Sequence, residues 1–169
     1  MRWIGVALAF LALAAGMGAS AAGELRVVSA HGVHVRVPTG WRRLEPTPSS
    51  ITDPQTLLVV GTAGVGWNLK SVCQVAAYRV SGAGAVVVIV GWRSATSGGG
   101  DGKPTGREPL KKLVGVSRPS FECYAGRGAA ASIVLGTKAY QVNVLVGDHA
   151  SKARVSEALA VARSFDLVR

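Results

Sequence analysis

The sequence predicts an α+β fold, in which a mostly antiparallel β-sheet is covered by helices on both faces as an α/β/α sandwich. Three observations predict it: one long apolar run in the middle of the chain, several segments in which apolar and polar residues alternate, and a C-terminal segment with helical periodicity. The chain has 169 residues, of which 49% are hydrophobic. This size and composition suit a single domain with a sizeable core.

The apolar run is Ala85–Trp92, AVVVIVGW, and its four valines and one isoleucine favour a strand over a helix because β-branched side chains suit extended backbone. Eight residues extend about 27 Å as a strand, at roughly 3.4 Å per residue. A strand without a polar alternate face must be covered on both sides. We therefore predict that this run is the central strand, with protein layers above and below it.

Other segments fill in the sheet. Residues 25–29 and 33–37 alternate around a tight turn at 30–32, which predicts a β-hairpin, and residues 42–54 contain three prolines and two serines, which predicts a loop. Further strands are expected at 56–62, 121–124, 130–135 and 139–146, and a short helix, or alternatively a strand, at 72–80. In the last predicted strand, Gln141 and Asn143 lie on the face opposite the apolar residues.

The C-terminal segment predicts an amphipathic helix that packs on one face of the sheet. Its apolar residues follow 3.6-residue spacing, and Asp148 is placed to cap its start. One helical turn is also expected at 109–114, after a glycine-rich loop at 94–106. The apolar residues of the C-terminal helix are Val155, Ala158, Leu159, Ala162 and Phe165.

The N-terminus has the pattern of a secretory signal peptide. Arg2 supplies a positive charge, residues 4–17 are apolar or glycine, and residues 19–21 (ASA) are small where a signal peptidase reads. We predict a signal peptide at 1–21, a single mature domain at 22–169, and a secreted or extracytoplasmic location. An uncleaved anchor is the alternative, although the apolar run is shorter than the ~20 residues of a spanning helix.

The chain is strongly basic. Its net charge is +10, and removal of Arg2 with the signal peptide leaves 18 basic and nine acidic residues, or +9. Such an excess attracts anionic polymers, lipid headgroups and acidic proteins. The charges are scattered, and no basic run is interleaved with aromatic residues, so we do not expect specific nucleic-acid binding. We also expect no transmembrane segment in the mature chain. A monomer is expected.

Two cysteines, Cys73 and Cys123, both lie in the exported part, where oxidation is favoured. A bond between them would stabilise the folded protein by roughly 4 kcal/mol in the loop-entropy model, because it restricts the unfolded chain. A nucleophilic thiol or a metal ligand is the alternative, but the chain has no CxxC pair and no histidine near either cysteine. We therefore predict a structural disulfide.

The order of turns and strands resembles the PsbP-like superfamily, which includes the photosystem II extrinsic subunit and a Ran-binding nuclear import factor. The resemblance is carried by the VPTGW turn at 37–41, the strand that follows Thr52-Asp53-Pro54, the late hairpin and the closing helix that ends in Ser164-Phe165. The chain is more similar still to small secreted proteins of high-GC actinobacteria, many with a similarly placed cysteine pair. The resemblance implies a sheet between helices and a binding or accessory role, and it carries over no metal or cofactor ligand.

Candidate sites are weak. The glycines at 126–128 resemble a dinucleotide-binding motif, but a strand is predicted after them where that motif needs a helix. The stretch at 98–103 resembles a phosphate-binding loop, but Pro104 follows it where that loop needs a serine or threonine hydroxyl. No catalytic residue and no cofactor is therefore predicted. The weak metal candidates are His31, His34 and His149, against exposed hairpin histidines. Three tryptophans are predicted to pack in the core or at a sheet edge; alternatively, they line a cleft for a carbohydrate or an apolar ligand. They are Trp41, Trp67 and Trp92.

Two function hypotheses follow. The first is a secreted non-enzymatic module that binds a protein or an anionic envelope component, which agrees with the basic charge and the resemblance. The second is a secreted hydrolase of unidentified type, with His34 or His149 as base.

Overall fold

The computed structural model describes residues 24–47, 49–67, 73–75, 77–117, 124 and 126–169. These residues form ten strands and two helices. The strands are β1 Arg26–Ala30, β2 Val33–Val37, β3 Trp41–Leu44, β4 Gln55–Thr62, β5 Gly66–Trp67, β6 Tyr78–Arg79, β7 Ala85–Trp92, β8 Arg127–Leu135, β9 Lys138–Val146 and β10 Asp166–Leu167. The helices are α1 Glu108–Lys111 and α2 Lys152–Arg163.

The main sheet has five antiparallel strands in the order β3-β4-β7-β9-β8, so the predicted central strand is confirmed. On its two sides, Val88 of β7 lies opposite Val59 of β4 and Asn143 of β9. Both Val88 and its neighbour Ile89 are fully buried, although they point to opposite faces. The strand is therefore covered on both sides, as its uniform apolar sequence requires.

One face of this sheet, the helix face, packs against α2, α1 and a three-stranded sheet formed by β1, β2 and β10. Ile89 and Val144 from the sheet share a core cluster with Leu159 of α2 and Leu110 of α1. Phe165, just after α2, is fully buried and its ring lies 5.5 Å from that of Tyr140, tilted by 51°. Such tilted aromatic pairs contribute beyond their buried area. The helices thus meet the sheet through small as well as large side chains, since Ala158 and Ala162 of α2 are buried there beside Leu159.

The other face, the opposite face, has a different cover. Val86, Val88 and Leu145 pack there against Val65 and Tyr78, which belong to the region around the short β5–β6 pair. Tyr78 is buried, and its hydroxyl accepts a hydrogen bond of 3.2 Å from the Thr47 backbone N–H. No helix covers this face in the part of the chain that the structure describes.

The predicted α/β/α sandwich is therefore wrong. Both α1 and α2 contribute to the helix face, and the described residues form mostly antiparallel β-sheet with two short helices. The error has a physical cause. An uninterrupted apolar strand requires that both faces be dry, but short extended and irregular segments can exclude water as well as a helix does.

The N-terminal hairpin is confirmed as β1 and β2, and β10 extends it into a three-stranded sheet. Its turn consists of His31 and Gly32, whose φ angles are 46° and 77°. Positive φ at both positions is typical of the two-residue turn that matches the twist of the flanking strands. Val33, Val35 and Val37 are buried, and His34 and Arg36 lie on the other side, as the alternation predicted.

Two local predictions are wrong, and one open alternative is decided. Residues 41–44 form the edge strand β3 where a loop was expected from residue 42, because two arginines between the buried Trp41 and Leu44 hid the strand pattern. Of the two alternatives at 72–80, a helix or a strand, the described residues contain the strand β6 at 78–79 and no helix. Helix α2 is capped by Ser151, whose side chain accepts from the Arg154 N–H, and Asp148 lies outside it.

Other predictions agree or fall outside the description. Strands β4, β8 and β9 and the turn of helix at α1 lie where they were expected. The predicted signal peptide at 1–21 and residues 121–123 of the predicted strand at 121–124 lie outside the described residues. No helix in the described ranges is long and apolar enough to cross a bilayer.

Candidate functional site

An open groove of about 460 Å³ runs beside α2. The helix forms one wall, and the segment after α1 together with the start of β8 forms the other. We call it the basic groove. It is lined by Val114, Val116, Arg127, Ala150, Lys152, Val155, Ser156, Leu159 and Arg163.

The wall opposite α2 is held by hydrogen bonds at both ends. Ser117 exchanges two backbone hydrogen bonds with Gly128 of β8, at 2.9 and 2.7 Å. At the other end, the Arg163 Nη1 donates to the Leu113 carbonyl at 2.6 Å, and the Leu113 side chain is buried in the helix-face core. Residues 114–116 therefore run as a tethered strip between two fixed points.

Three cations surround the groove: Arg127, Lys152 and Arg163. Lys152 and Arg163 are the first and last residues of α2. The Arg127 Nη1 donates to the Asp148 carbonyl at 3.5 Å, which places Arg127 near the start of the helix. Like charges in one concavity repel one another, so an anion bound there would be stabilised by all three.

Most of the nearby carboxylates are paired with cations outside the groove. None of the described lining residues carries a carboxylate. The acidic side chains on neighbouring elements have partners of their own: Glu108 pairs with Lys111 at 2.5 Å, Glu157 with Arg154, and Asp166 with Arg107 at 2.9 Å. The first turn of α2 also lacks an acidic residue. The lining therefore carries three cations and no carboxylate, and the Asp148 carboxylate, whose charge reaches Tyr124 beside Arg127, lies outside the lining at the Lys152 end.

The floor of the groove is apolar. Leu159 and Ala150 are buried, Val155 and Val116 are half-buried, and Val114 is 83% exposed. A valine this exposed on a tethered strip presents apolar surface that a ligand could cover. The arrangement combines a mainly apolar centre, which Ser156 interrupts, with a cationic rim, so it can bind an anionic partner.

Tyr124 supports the start of β8 from the opposite side. Its hydroxyl donates to the Arg127 carbonyl at 3.2 Å or the Val146 carbonyl at 3.3 Å. Burial, and then the negative charge of Asp148, raise the pKa of the Tyr124 phenol above its usual value. The phenol therefore stays neutral at ordinary pH and keeps the donor that orients the Arg127 backbone.

The three candidate histidines are not brought together. His31 lies in the hairpin turn and lines a small cavity of about 100 Å³ with Lys138, at the start of β9. His34 lies on β2 opposite Asp166, and His149 follows the far end of β9. Strand β9 spans eight steps, or about 27 Å, between those ends. The weak candidate His149 therefore lies far from His31, and the described residues contain no cluster of three or more potential metal ligands.

The tryptophans are likewise dispersed. Trp41 is buried in the helix face and its Nε1–H donates to the Glu157 carboxylate. Trp67 is 42% exposed on β5, and Trp92 is half-buried beside the small cavity that His31 lines. They form no common ligand platform.

The cysteine prediction stays a prediction. Cys73 is among the described residues, and none of those residues has a free thiol. Cys123 lies outside the described residues, so the proposed bond between Cys73 and Cys123 is not described.

Sequence reasoning missed the basic groove. Its cations lie at positions 127, 152 and 163, separated by more than twenty and then ten residues, with no local motif around any of them. The only signal was the excess of positive charge, which does not say where that charge gathers.

Neither a family model nor a curated protein matches this chain. The resemblance to the PsbP-like superfamily is therefore carried by the sequence pattern alone, and its implied helices on both faces are corrected by the fold.

Proposed function

We propose that this protein is a secreted, non-enzymatic binding or accessory module, which engages a protein or an anionic envelope component through the basic groove. The observation that carries the proposal is the groove itself: three cations around an apolar floor, with no carboxylate among its described lining residues. Cavities of several hundred Å³ that combine apolar walls with a small set of polar groups are the usual form of a ligand site.

Long-range electrostatics supports the same role. A net charge of +9 after signal-peptide removal draws anionic partners toward the surface, and a concave site with apolar walls concentrates the field. The secreted location rests on the sequence pattern of residues 1–21. Membership of the PsbP-like superfamily, whose resemblance implies a binding or accessory role, is part of the same proposal.

The hydrolase alternative gains no supporting observation. His34 and His149, its candidate bases, lie on β2 and beyond the end of β9, and no side-chain hydrogen bond joins either imidazole to a nucleophile in the described part of the chain. A general base must lie within hydrogen-bond reach of the proton that it abstracts. We therefore propose the binding module and not the hydrolase.

The test compares two triple variants that remove the same charge. Arg127, Lys152 and Arg163 are replaced by glutamine in one variant, and the exposed Arg42, Arg43 and Arg79 in its control. Binding of polyglutamate and of phosphatidylglycerol vesicles is measured by titration at low salt. We expect the wild type to bind at least one probe, the groove variant to bind about tenfold more weakly or worse, and the control to bind nearly as well as the wild type.

Equal weakening of both triple variants would show that net charge alone drives binding and would overturn the proposal. No binding of either probe by the wild type would do the same. Replacement of His31, His34 and His149 by glutamine should leave binding unchanged.

A further inference from the structure

We infer that the partner in the basic groove is an acidic segment of another protein, with acidic residues at both ends and apolar residues between them. This inference rests on the proposed function and narrows it to one class of partner. It is argued from the order of charges and apolar groups along the groove.

The cations lie at the two ends of the groove. Lys152 begins α2 and Arg163 ends it, which separates their Cα atoms by about 16 Å at 1.5 Å per residue. Arg127 joins the Lys152 end, because its guanidinium reaches the Asp148 carbonyl just before the helix. Arg163 is held at the other end by its hydrogen bond to the Leu113 carbonyl. A complementary ligand therefore carries two separated negative groups.

The middle of the groove is apolar. Val155 and Leu159 of α2 face Val114 and Val116 of the tethered strip, the Ser156 side chain also lines this stretch, and no cation does. An apolar centre with a charged rim is the usual anatomy of a protein–protein interface. In an extended peptide, the Cα separation of about 16 Å between Lys152 and Arg163 corresponds to roughly five residues, at about 3.4 Å per residue.

A single-headed amphiphile fits this arrangement less well. Its one anionic group would satisfy one end, and its chain would place methylene groups beside the cation at the other end, which costs desolvation without a partner. The groove is also open along one side, so an acyl chain lying in it would stay partly in water. A protein segment satisfies both ends, and the body of the partner covers the open side and the exposed Val114.

The test uses two synthetic peptides. One has a pair of glutamates at each end and leucines between them, five positions apart, and the other has one glutamate pair replaced by glutamines. Affinity is measured by fluorescence anisotropy for the wild type, Lys152→Gln, Arg163→Gln and the double variant, with Arg43→Gln as the charge-matched control. Thermal unfolding of each variant checks that Arg163→Gln keeps its fold.

We expect the two-ended peptide to bind more tightly than the one-ended peptide, and each single groove variant to weaken it about two- to fivefold. The one-ended peptide can use either end, so each single variant should change its affinity little while the double variant weakens it. Arg43→Gln should change neither. Raising the salt from about 0.05 to about 0.5 M should weaken the two-ended peptide more, because it makes more charge contacts.

Equal affinity for the two peptides would overturn the inference. So would binding of phosphatidylglycerol vesicles, lost in the groove variants, without binding of either peptide; that outcome leaves the proposed function intact and assigns the groove to a lipid headgroup. If the wild type binds neither peptides nor vesicles, both the inference and the proposed function fail.

Discussion

On the helix face of the five-stranded sheet, Ile89 and Val144 pack against Phe165 and the side chains of α2. On the opposite face, Val88 and Leu145 pack against Val65 and Tyr78 near a two-residue strand pair. The strands between them are the same strands, and their side chains alternate from one face to the other. A buried strand therefore requires that water be excluded from both of its faces, but it does not specify whether a helix or an irregular segment excludes it.

The faces also differ in polarity. The helix face contains no buried amide among the described residues, whereas Asn143 is fully buried on the opposite face. Its Nδ2 donates to the Val88 carbonyl at 3.3 Å and to the Gln141 carbonyl at 3.4 Å. Both bonds are long, and its Oδ1 has no partner in the described ranges. The opposite face therefore tolerates a polar group that the helix face excludes.

The largest expected effect tests whether both faces are closed. Val88→Asp and Ile89→Asp each bury an unpaired carboxylate, at a cost of several kcal/mol in a domain whose total stability is of the order of 5 to 15 kcal/mol. Both variants should fail to fold, as judged by circular dichroism and thermal unfolding. Ser132→Asp, at an exposed position of β8, is the control and should fold. A well-folded variant at either buried position would contradict burial on that face.

A smaller effect compares the rigidity of the two covers. Phe165→Ala should cost about 3 to 5 kcal/mol, because α2 and the sheet hold the cavity open on either side. Leu145→Ala on the opposite face should cost about 2 to 3 kcal/mol, since an irregular cover can move into the space more easily. Urea unfolding measures both. A larger loss for Leu145→Ala than for Phe165→Ala would reverse the comparison.

The polarity difference gives a matched pair on one strand. Asn143→Leu should change the free energy of unfolding by less than about 1 kcal/mol, because the lost hydrogen bonds are long and the new side chain is apolar. Val144→Asn places an amide on the helix face and should cost about 2 kcal/mol or more. Equal costs for the two variants in urea unfolding would show that the faces do not differ in this respect.

The smallest effect is a dependence on pH. Burial raises the pKa of all three tyrosines, Tyr78, Tyr124 and Tyr140, above the ordinary value of 10.0. The folded protein then holds these protons more tightly than the unfolded chain, so their contribution to stability is complete below pH 10.0 and is lost as the pH rises through the folded-state values. Tyrosinate absorbance should therefore appear at higher pH in the native protein than in denaturant.

Tyr78→Phe removes one of these groups from the opposite face and is the control for that titration. Its stability should fall less steeply above pH 10.0 than that of the wild type. A native tyrosinate titration that coincides with that of the denatured chain would contradict the burial of all three rings.

Predictability from the sequence followed the locality of each signal. The hairpin of β1 and β2 was predictable because its alternation and its His31-Gly32 turn lie within a dozen residues. Strand β3 was missed because Trp41 and Leu44 flank two arginines, and its identity as an edge depends on pairing with β4. Asn143 was expected on a polar face, since alternation alone does not say that a distant segment covers that face.

The candidate site was less predictable than the fold. Arg127, Lys152 and Arg163 are ordinary surface cations in the sequence, and the histidines looked the stronger candidates. In the folded chain the cations are the stronger candidates. The fold brings the three of them around one groove, whereas His31 and His149 lie near opposite ends of β9.

Three features were predictable from the sequence: Ala85–Trp92 is a central strand buried on both faces, a hairpin opens the described chain, and an amphipathic helix follows β9. These follow from periodicity and β-branching, which act on residues close together in the chain. The placement of both described helices on one face, and of three cations beside α2, became visible in the folded chain. Those features depend on which distant segments exclude water from each face and on where scattered charges meet, and hydrophobic burial is non-directional, so an apolar pattern does not name its partner.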